Sequence, residues 1–517
     1  MCASAQQNNN NNSRILCLDN KDSLRKKMRE NLDFIQDKER FLHLFEDIQF
    51  PITLVIEEYY SDRDYKDSYY HFFASKYHDF GKYTHRIAIL EGEITEQEIY
   101  NKNFSLKKKI IGLLTIRPFK TGNIGKALFN PKKLQLGNVL IRTTKFAVGL
   151  FGRKFRINTF PFSSQDGEYM TCAETALWGI LQYYGARYKE YRAALPHEIV
   201  DIAENEAYER ASPSHGLNYA HISKVLKNFG FSPKIYSRKY ESNNKAEFLD
   251  FKRTFHYYVE SGIPLMVGIR FDKETTGHVV LCVGRRNSMP KQIQYETLDK
   301  ECQIDSTEPE LKDNKYQIAN SADFVEEYVF MDDNKRPFTL NKLDDFCYEK
   351  ETIIKYFIAP LYKRIFLEAK DAERIFYNTL QNKILGLKNI SPEHTKVVIR
   401  IFLTTSRNYK ASRFQALEKS YRIIDRIPMP KFLWICEIST EEQYRKGKVC
   451  AEIVLDATAS KRDGFESIIL LRYPKKFAYK NFDDSLQKLK ERLNRNRPSM
   501  EIEFDSFKRN LKEVGNE

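Results

Sequence analysis

A thiol, an imidazole and a carboxylate that could work as nucleophile, base and orienting acid occur in that order along this chain, at Cys172, His278 and Asp332. Cys172 closes the stretch Gln165-Asp166-Gly167-Glu168-Tyr169-Met170-Thr171-Cys172. Beyond it Ala173, Ala176, Leu177, Ile180, Leu181 and Tyr184 recur at the spacing of one buried helix face. Thr171 followed three residues later by Glu174 is a capping-box pattern, which makes Thr171 the N-cap and Cys172 the first helical residue. Free backbone N–H groups and the helix dipole at that position favour a thiolate, which is the nucleophilic form of sulfur. The alternative is a small buried hydrophobe, the usual state of an isolated cysteine. Against it stands the polar Gln-Asp-Gly loop ahead of the helix, in which Gln165 is the candidate oxyanion donor.

Residues 261–269 and 277–284 read as two apolar strands joined by a polar turn, and His278 leads the second. Gly277 leaves room beside its ring, a placement suited to a general base facing a helix N-terminus. His71, His78 and His85 share a seven-residue spacing, but no single helix turn unites them, and neither a metal nor a cofactor is expected. A third strand, residues 327–331, ends in Asp332-Asp333-Asn334. A carboxylate there can accept the imidazole N–H and fix the tautomer that takes a thiol proton. Strand alternation puts Tyr328, Phe330 and Asp332 on one face and Val329, Met331 and Asp333 on the other, so one aspartate should reach the histidine. Asp332, on the aromatic face, is the expected one and Asp333 the alternative acid; a turn or calcium-type loop is the competing reading of the pair.

A cysteine opening a helix, then a strand with Gly-His, then a strand ending in an acid resembles the papain-like cysteine peptidase superfamily. It is most similar to the bacterial bacteriocin-processing branch, where a Gln precedes a Cys-Gly-Ala-Ala-Leu type helix. The stretch from Gly216-Leu217-Asn218 to Phe229-Gly230, and Gly262-Ile263-Pro264-Leu265 followed by Gly277-His278-Val279-Val280-Leu281, are similar to the next helix and the base-bearing hairpin of that branch. The resemblance covers about 200 residues. It implies an α+β fold of two lobes, a Cys172-His278-Asp332 triad and hydrolysis of peptide bonds in a protein or peptide substrate. The chain departs from the pattern in three places: Gln165 stands seven rather than six residues before Cys172, Ala173 replaces the usual Gly, and about fifty residues separate His278 from Asp332. Deamidation, transglutaminase-like acyl transfer, or a scaffold kept only for binding and regulation are the competing functions.

These residues need elements to hold them, and the texture of the chain suggests four segments. Residues 1–50 read as a polar Gln/Asn tail and a helix over 14–48, and 51–160 as a β-rich accessory domain. Residues 161–365 form the catalytic domain and 366–517 an α/β accessory domain, which could gate the cleft or hold a regulatory partner. The polar segment 287–323, between base and acid, is expected to be a mobile loop able to cover the cleft. Lysine plus arginine exceed aspartate plus glutamate by 84 to 70, but the charges are interspersed, so nucleic acid is not expected as the primary partner. Eight cysteines without a Cys-x-x-Cys pair exclude a disulfide or zinc framework. With no apolar leader and no long apolar run, a cytoplasmic protein without a membrane partner is the expectation.

Overall fold

The computed structural model describes residues 13–205, 216–238, 245–271, 277–298, 316–346, 348, 352–390, 395–415, 420–495 and 501–515. Among these, helices pack on three large, mainly antiparallel sheets in an α+β architecture. The first sheet is a five-stranded meander of Ser13–Leu18, Ile52–Tyr60, Thr84–Glu91, Ile110–Ile116 and Ile124–Phe129, in sequence order. Antiparallel neighbours need only local connections, so spatial order follows the chain. The expected helix over 14–48 is corrected here. Leu16 and Leu18 are buried with exposed Cys17 between them, a period-two pattern, and Ser13–Leu18 pairs with Ile52–Tyr60. Helix is confined to Lys21–Glu30, capped by Asn20, and Lys38–His43. The boundary at residue 50 therefore falls inside a sheet.

The second sheet carries the candidate chemistry. Its main path runs Pro337–Lys342, Glu327–Met331, Gly277–Arg286, Leu265–Phe271, Thr352–Tyr362 and Phe231–Ser237, every neighbour antiparallel. Two further strands come from outside residues 161–365: Val139–Ile141 pairs with the far end of Gly277–Arg286, and Lys512–Val514 pairs with Val139–Ile141. One face of this sheet meets the helix Cys172–Arg187, where Leu177, Ile180 and Leu181 share a core with Val279, Leu281 and Val283. That core continues into Leu54, Ile87 and Leu114 of the first sheet. On the opposite face Val280, Tyr328 and Phe330 pack with Phe255, Trp434 and Ile401, and so join the third sheet.

The third sheet has seven strands, the first two supplied by residues 287–323. Glu296–Thr297 pairs with Gln317–Asn320, which lies parallel to Lys396–Thr405. The expectation that 287–323 covers the cleft is corrected for its described parts. Ile293, Ala319 and Phe324 form a small buried cluster with Val398 and draw the segment toward the third sheet; residues 299–315 lie outside the described residues.

Candidate functional site

Cys172 is the first residue of its helix and Thr171 the N-cap, in extended conformation. The expected capping box does not form, because the Thr171 hydroxyl is hydrogen-bonded to the Glu174 carboxylate rather than serving as a side-chain cap. The loop ahead of the helix is tied down instead by Asp166. Its Oδ1 accepts the backbone N–H groups of Glu168, Tyr169 and Met170 at 3.0, 2.8 and 2.9 Å. Buried Arg117 of the first sheet reaches under the same loop and donates to the carbonyls of Gly122, Ile124 and Ser164. Gly122, at φ +61°, comes so close that a β-carbon there would stand 2.0 Å from the Gln165 carbonyl oxygen, so only glycine permits this approach. The accessory sheet thus braces the loop that delivers the sulfur.

His278 is 5% exposed at the start of the strand Gly277–Arg286. Its Nε2 donates to Asp332 Oδ1 at 2.9 Å, and the Cys172 side chain lies close enough to favour the protonated ring. With Nε2 turned to the carboxylate, Nδ1 is the nitrogen left for the sulfur. Asp332, fully buried, accepts two more hydrogen bonds, from the Asn334 backbone N–H at 3.0 Å and from the Tyr348 hydroxyl on Oδ2. Burial is the largest single influence on both partners and opposes charge, but the hydrogen bonds and neighbouring charges together outweigh it. The His278 pKa is raised well above the ordinary imidazole value by the bond to Asp332, the Cys172 side chain and the charges of Asp333 and Asp332. The Asp332 carboxyl is held below the usual range by His278, Tyr348 and Asn334.

The expectation that one aspartate alone reaches the histidine is corrected. Asp333 Oδ1 also lies 3.3 Å from His278 Nε2, although both Asp333 oxygens are buried and neither accepts a hydrogen bond among the described residues. Burial pushes the Asp333 carboxyl up to about 7, the His278 charge pulling it down and the Asp332 charge adding to the rise. Asp333 lines a small cavity with Cys172, Ser163 and Thr175, on the helix side of the sheet. Gln165 sits at the edge of the site, where its Nε2 donates to Asn334 Oδ1 at 2.8 Å. The same Asn334 oxygen accepts from Arg40 Nη2 at 3.0 Å, and the Asn334 amide nitrogen lies 3.4 Å from His278 Nε2.

Three participants were not foreseen from sequence. Asn334 adjoins the Asp332-Asp333 pair, so a polar residue after a strand-end acid was the available signal. Arg40 and Tyr348 are distant in sequence and carried none. His71, His78 and His85 do not meet as a triplet. His71 stacks on His197 beside Asp67, His78 packs edge-on against Phe80, and His85 stacks on Phe34. Asp67, His71 and His197 form one of two described clusters with ligand atoms within 4.8 Å, and His278, Asp332 and Asp333 form the other. In the second, His278 is hydrogen-bonded to Asp332, which also accepts from Tyr348 and the Asn334 backbone N–H, whereas Asp333 accepts none among the described residues. No helix among the described residues is long and apolar enough to cross a membrane. No protein-family model matches the chain, and no curated protein matches it in sequence.

Proposed function

We propose that the chain is a thiol hydrolase of peptide bonds with a papain-like catalytic core, in which Cys172 is the nucleophile, His278 the base and Asp332 the orienting acid. The observation that carries this reading is the buried hydrogen bond between His278 and the Asp332 carboxylate, with the Cys172 sulfur, at a helix N-terminus, close enough to favour the protonated ring. His278 takes the thiol proton, and the thiolate adds to the scissile carbonyl carbon. The resulting oxyanion faces the Gln165 amide and the N–H groups of the first helical turn. Collapse of this adduct breaks the C–N bond as the imidazolium gives its proton to the departing amine, leaving a thioester on Cys172. Water then adds to the thioester while His278 takes its proton. The carboxylic acid departs and the thiol is restored. Asp332 keeps its charge throughout and holds Nε2–H away from the sulfur. The working compartment in this reading is the cytoplasm, where a nucleophilic thiol stays reduced, and the substrate is a protein or peptide.

An electrophilic active-site probe tests the assignment. Cys172 is half-buried, whereas Cys282, Cys436 and Cys450 are buried with thiol pKa values pushed up by desolvation. Cys172, activated by His278, should therefore label faster than these three and faster than exposed Cys17, and His278→Ala should slow it strongly. New protein termini should appear in a proteome treated with the wild type and be absent with Cys172→Ala. Labelling of Cys172 no faster than that of the buried cysteines, together with no new termini, defeats the proposal.

A further inference from the structure

A second concave site lies at the opposite end of the strand that carries His278. Arg285 of that strand is seven residues beyond the histidine, roughly 23 Å away in extended chain. Here the second and third sheets enclose a cleft of about 500 Å³, a size suited to a small organic ligand. Its floor is a buried ionic network in which Glu260 pairs with Arg285 and Arg400, and Glu437 pairs with Arg400. These charges neutralise one another. The rim does not: Arg445, Lys446, Lys448 and Lys508 line it, against a single lining carboxylate, Glu513. Arg445, Lys446 and Lys448 each pair with a surface acid that does not line the cleft, namely Glu441, Glu442 and Asp505. Such exposed pairs are weak and exchange readily for a stronger anion. The Lys508 ammonium stands 3.5 Å from where a β-carbon on Gly447 would sit, so the turn at Gly447 gathers Lys446, Lys448 and Lys508 on one side of the opening.

Apolar groups share the lining: Leu140, Met289, Phe324 and Val325, of which Met289 is 40% exposed and Phe324 meets Tyr444 edge-on with ring centroids 5.6 Å apart. Arg445 donates to the Pro290 and Lys291 carbonyls beside Met289, so the basic and apolar groups adjoin, and Asn138, Asn287 and Ser288 add hydrogen-bonding groups. We propose that this cleft binds a phosphorylated small molecule of nucleotide size, its phosphates on the lysine rim and its flat or apolar body against Met289 and Phe324. The proposal is independent of the thiol chemistry, because no Cys172-site residue lines the cleft.

Calorimetric titration of the full chain with ATP, and separately with inorganic tripolyphosphate, tests it. ATP should bind saturably, more tightly than tripolyphosphate and more weakly as salt is raised. Lys446→Gln/Lys508→Gln should raise the ATP dissociation constant about ten-fold or more, and the neutral Met289→Ser should weaken ATP while leaving tripolyphosphate nearly unchanged. Lys107→Gln/Lys108→Gln, at exposed lysines elsewhere, should alter neither. Unchanged melting temperatures of the unliganded variants exclude misfolding as the cause. Absence of saturable ATP binding, equal affinity for ATP and tripolyphosphate, or equal affinity in wild type and the lysine double variant would each overturn the assignment.

Discussion

An imidazole flanked by two carboxylates has its tautomer set by the one that accepts its N–H, and here the two differ in every partner they keep. Asp332 accepts from His278, Asn334 and Tyr348, whereas Asp333 accepts no hydrogen bond among the described residues. Asp332→Asn should therefore slow probe labelling and turnover by a few orders of magnitude, through the wrong tautomer, as orienting acids do. Asp333→Asn should slow them less than ten-fold; a reversed order would make Asp333 the acid. A stability effect distinguishes the pair as well. The Asp333 carboxyl stands at about 7 when folded against 3.8 for an unperturbed aspartate, so the folded state binds more protons across that window and stability falls as pH rises through it. Asp333→Asn removes this loss, so its melting temperature should gain on wild type from pH 4 to pH 7 and hold the gain above; a constant gap between the two would refute the assignment. At this scale the sequence was legible where local rules apply. Helix periodicity gave the position of Cys172, and strand alternation gave Asp332 its face. Asp333 was misjudged because a strand end frees the next residue from alternation, and Tyr348 and Arg40 enter through tertiary packing that spacing does not record.

The elements around the site were readable in proportion to how strongly each patterns its own residues. The helix Cys172–Arg187 and the strands Leu265–Phe271, Gly277–Arg286 and Glu327–Met331 carry dense apolar runs and lie where their sequence suggests. Val139–Ile141 and Lys512–Val514 are three residues each, too short to show a period, yet they complete the sheet beside the base strand. Their docking depends on Gly284. A β-carbon there would stand 2.2 Å from the Leu140 carbonyl oxygen and 2.9 Å from the Ile141 α-carbon, both backbone atoms that cannot rotate away. Gly284→Ala should accordingly lower stability by about 1–3 kcal/mol or more, the scale of overpacking, read as a drop in the urea midpoint. An unchanged midpoint would mean that Val139–Ile141 does not pair with the base strand. Segment 287–323 was misread for a related reason. Its apolar residues, among them Ile293, Ile318 and Ala319, are spaced among polar ones, and these three find their cover in packing beside the third sheet rather than in a pattern of their own.

Among the described residues, two shared cores and one ionic chain cross the boundaries of the four expected segments. The helix side of the candidate site continues into the first sheet and the opposite side into the third. Along the second junction runs a line of alternating charges: Arg285, Glu260, Arg400, Glu437, Arg413, Glu452, Arg472 and Glu501. Arg285 belongs to the strand of the candidate base, Arg400 and Glu437 to the third sheet, and Glu260 ends the helix Lys245–Glu260 between them. Glu260, 2% exposed, bonds Arg285 at 2.6 Å and Arg400 at 2.6 Å, so Glu260→Gln takes the paired carboxylate from buried Arg285 and leaves Arg400 with Glu437 alone. Loss of one partner from such a buried pair costs about 3–5 kcal/mol, and the variant's melting temperature at pH 7 should fall accordingly. Burial opposes ionisation of Glu260, but Arg285, Arg400 and His256 hold its carboxyl well below the 4.5 of an unperturbed glutamate. Its contribution is thus complete above that value and lost as pH falls below it, so the gap between wild type and Glu260→Gln should narrow from pH 5 toward pH 3. Calorimetry reads the coupling directly. If the network binds the second and third sheets into one cooperative unit, Glu260→Gln shifts their common transition; a variant that melts the third sheet separately at the wild-type temperature would show that the charges merely meet at a boundary.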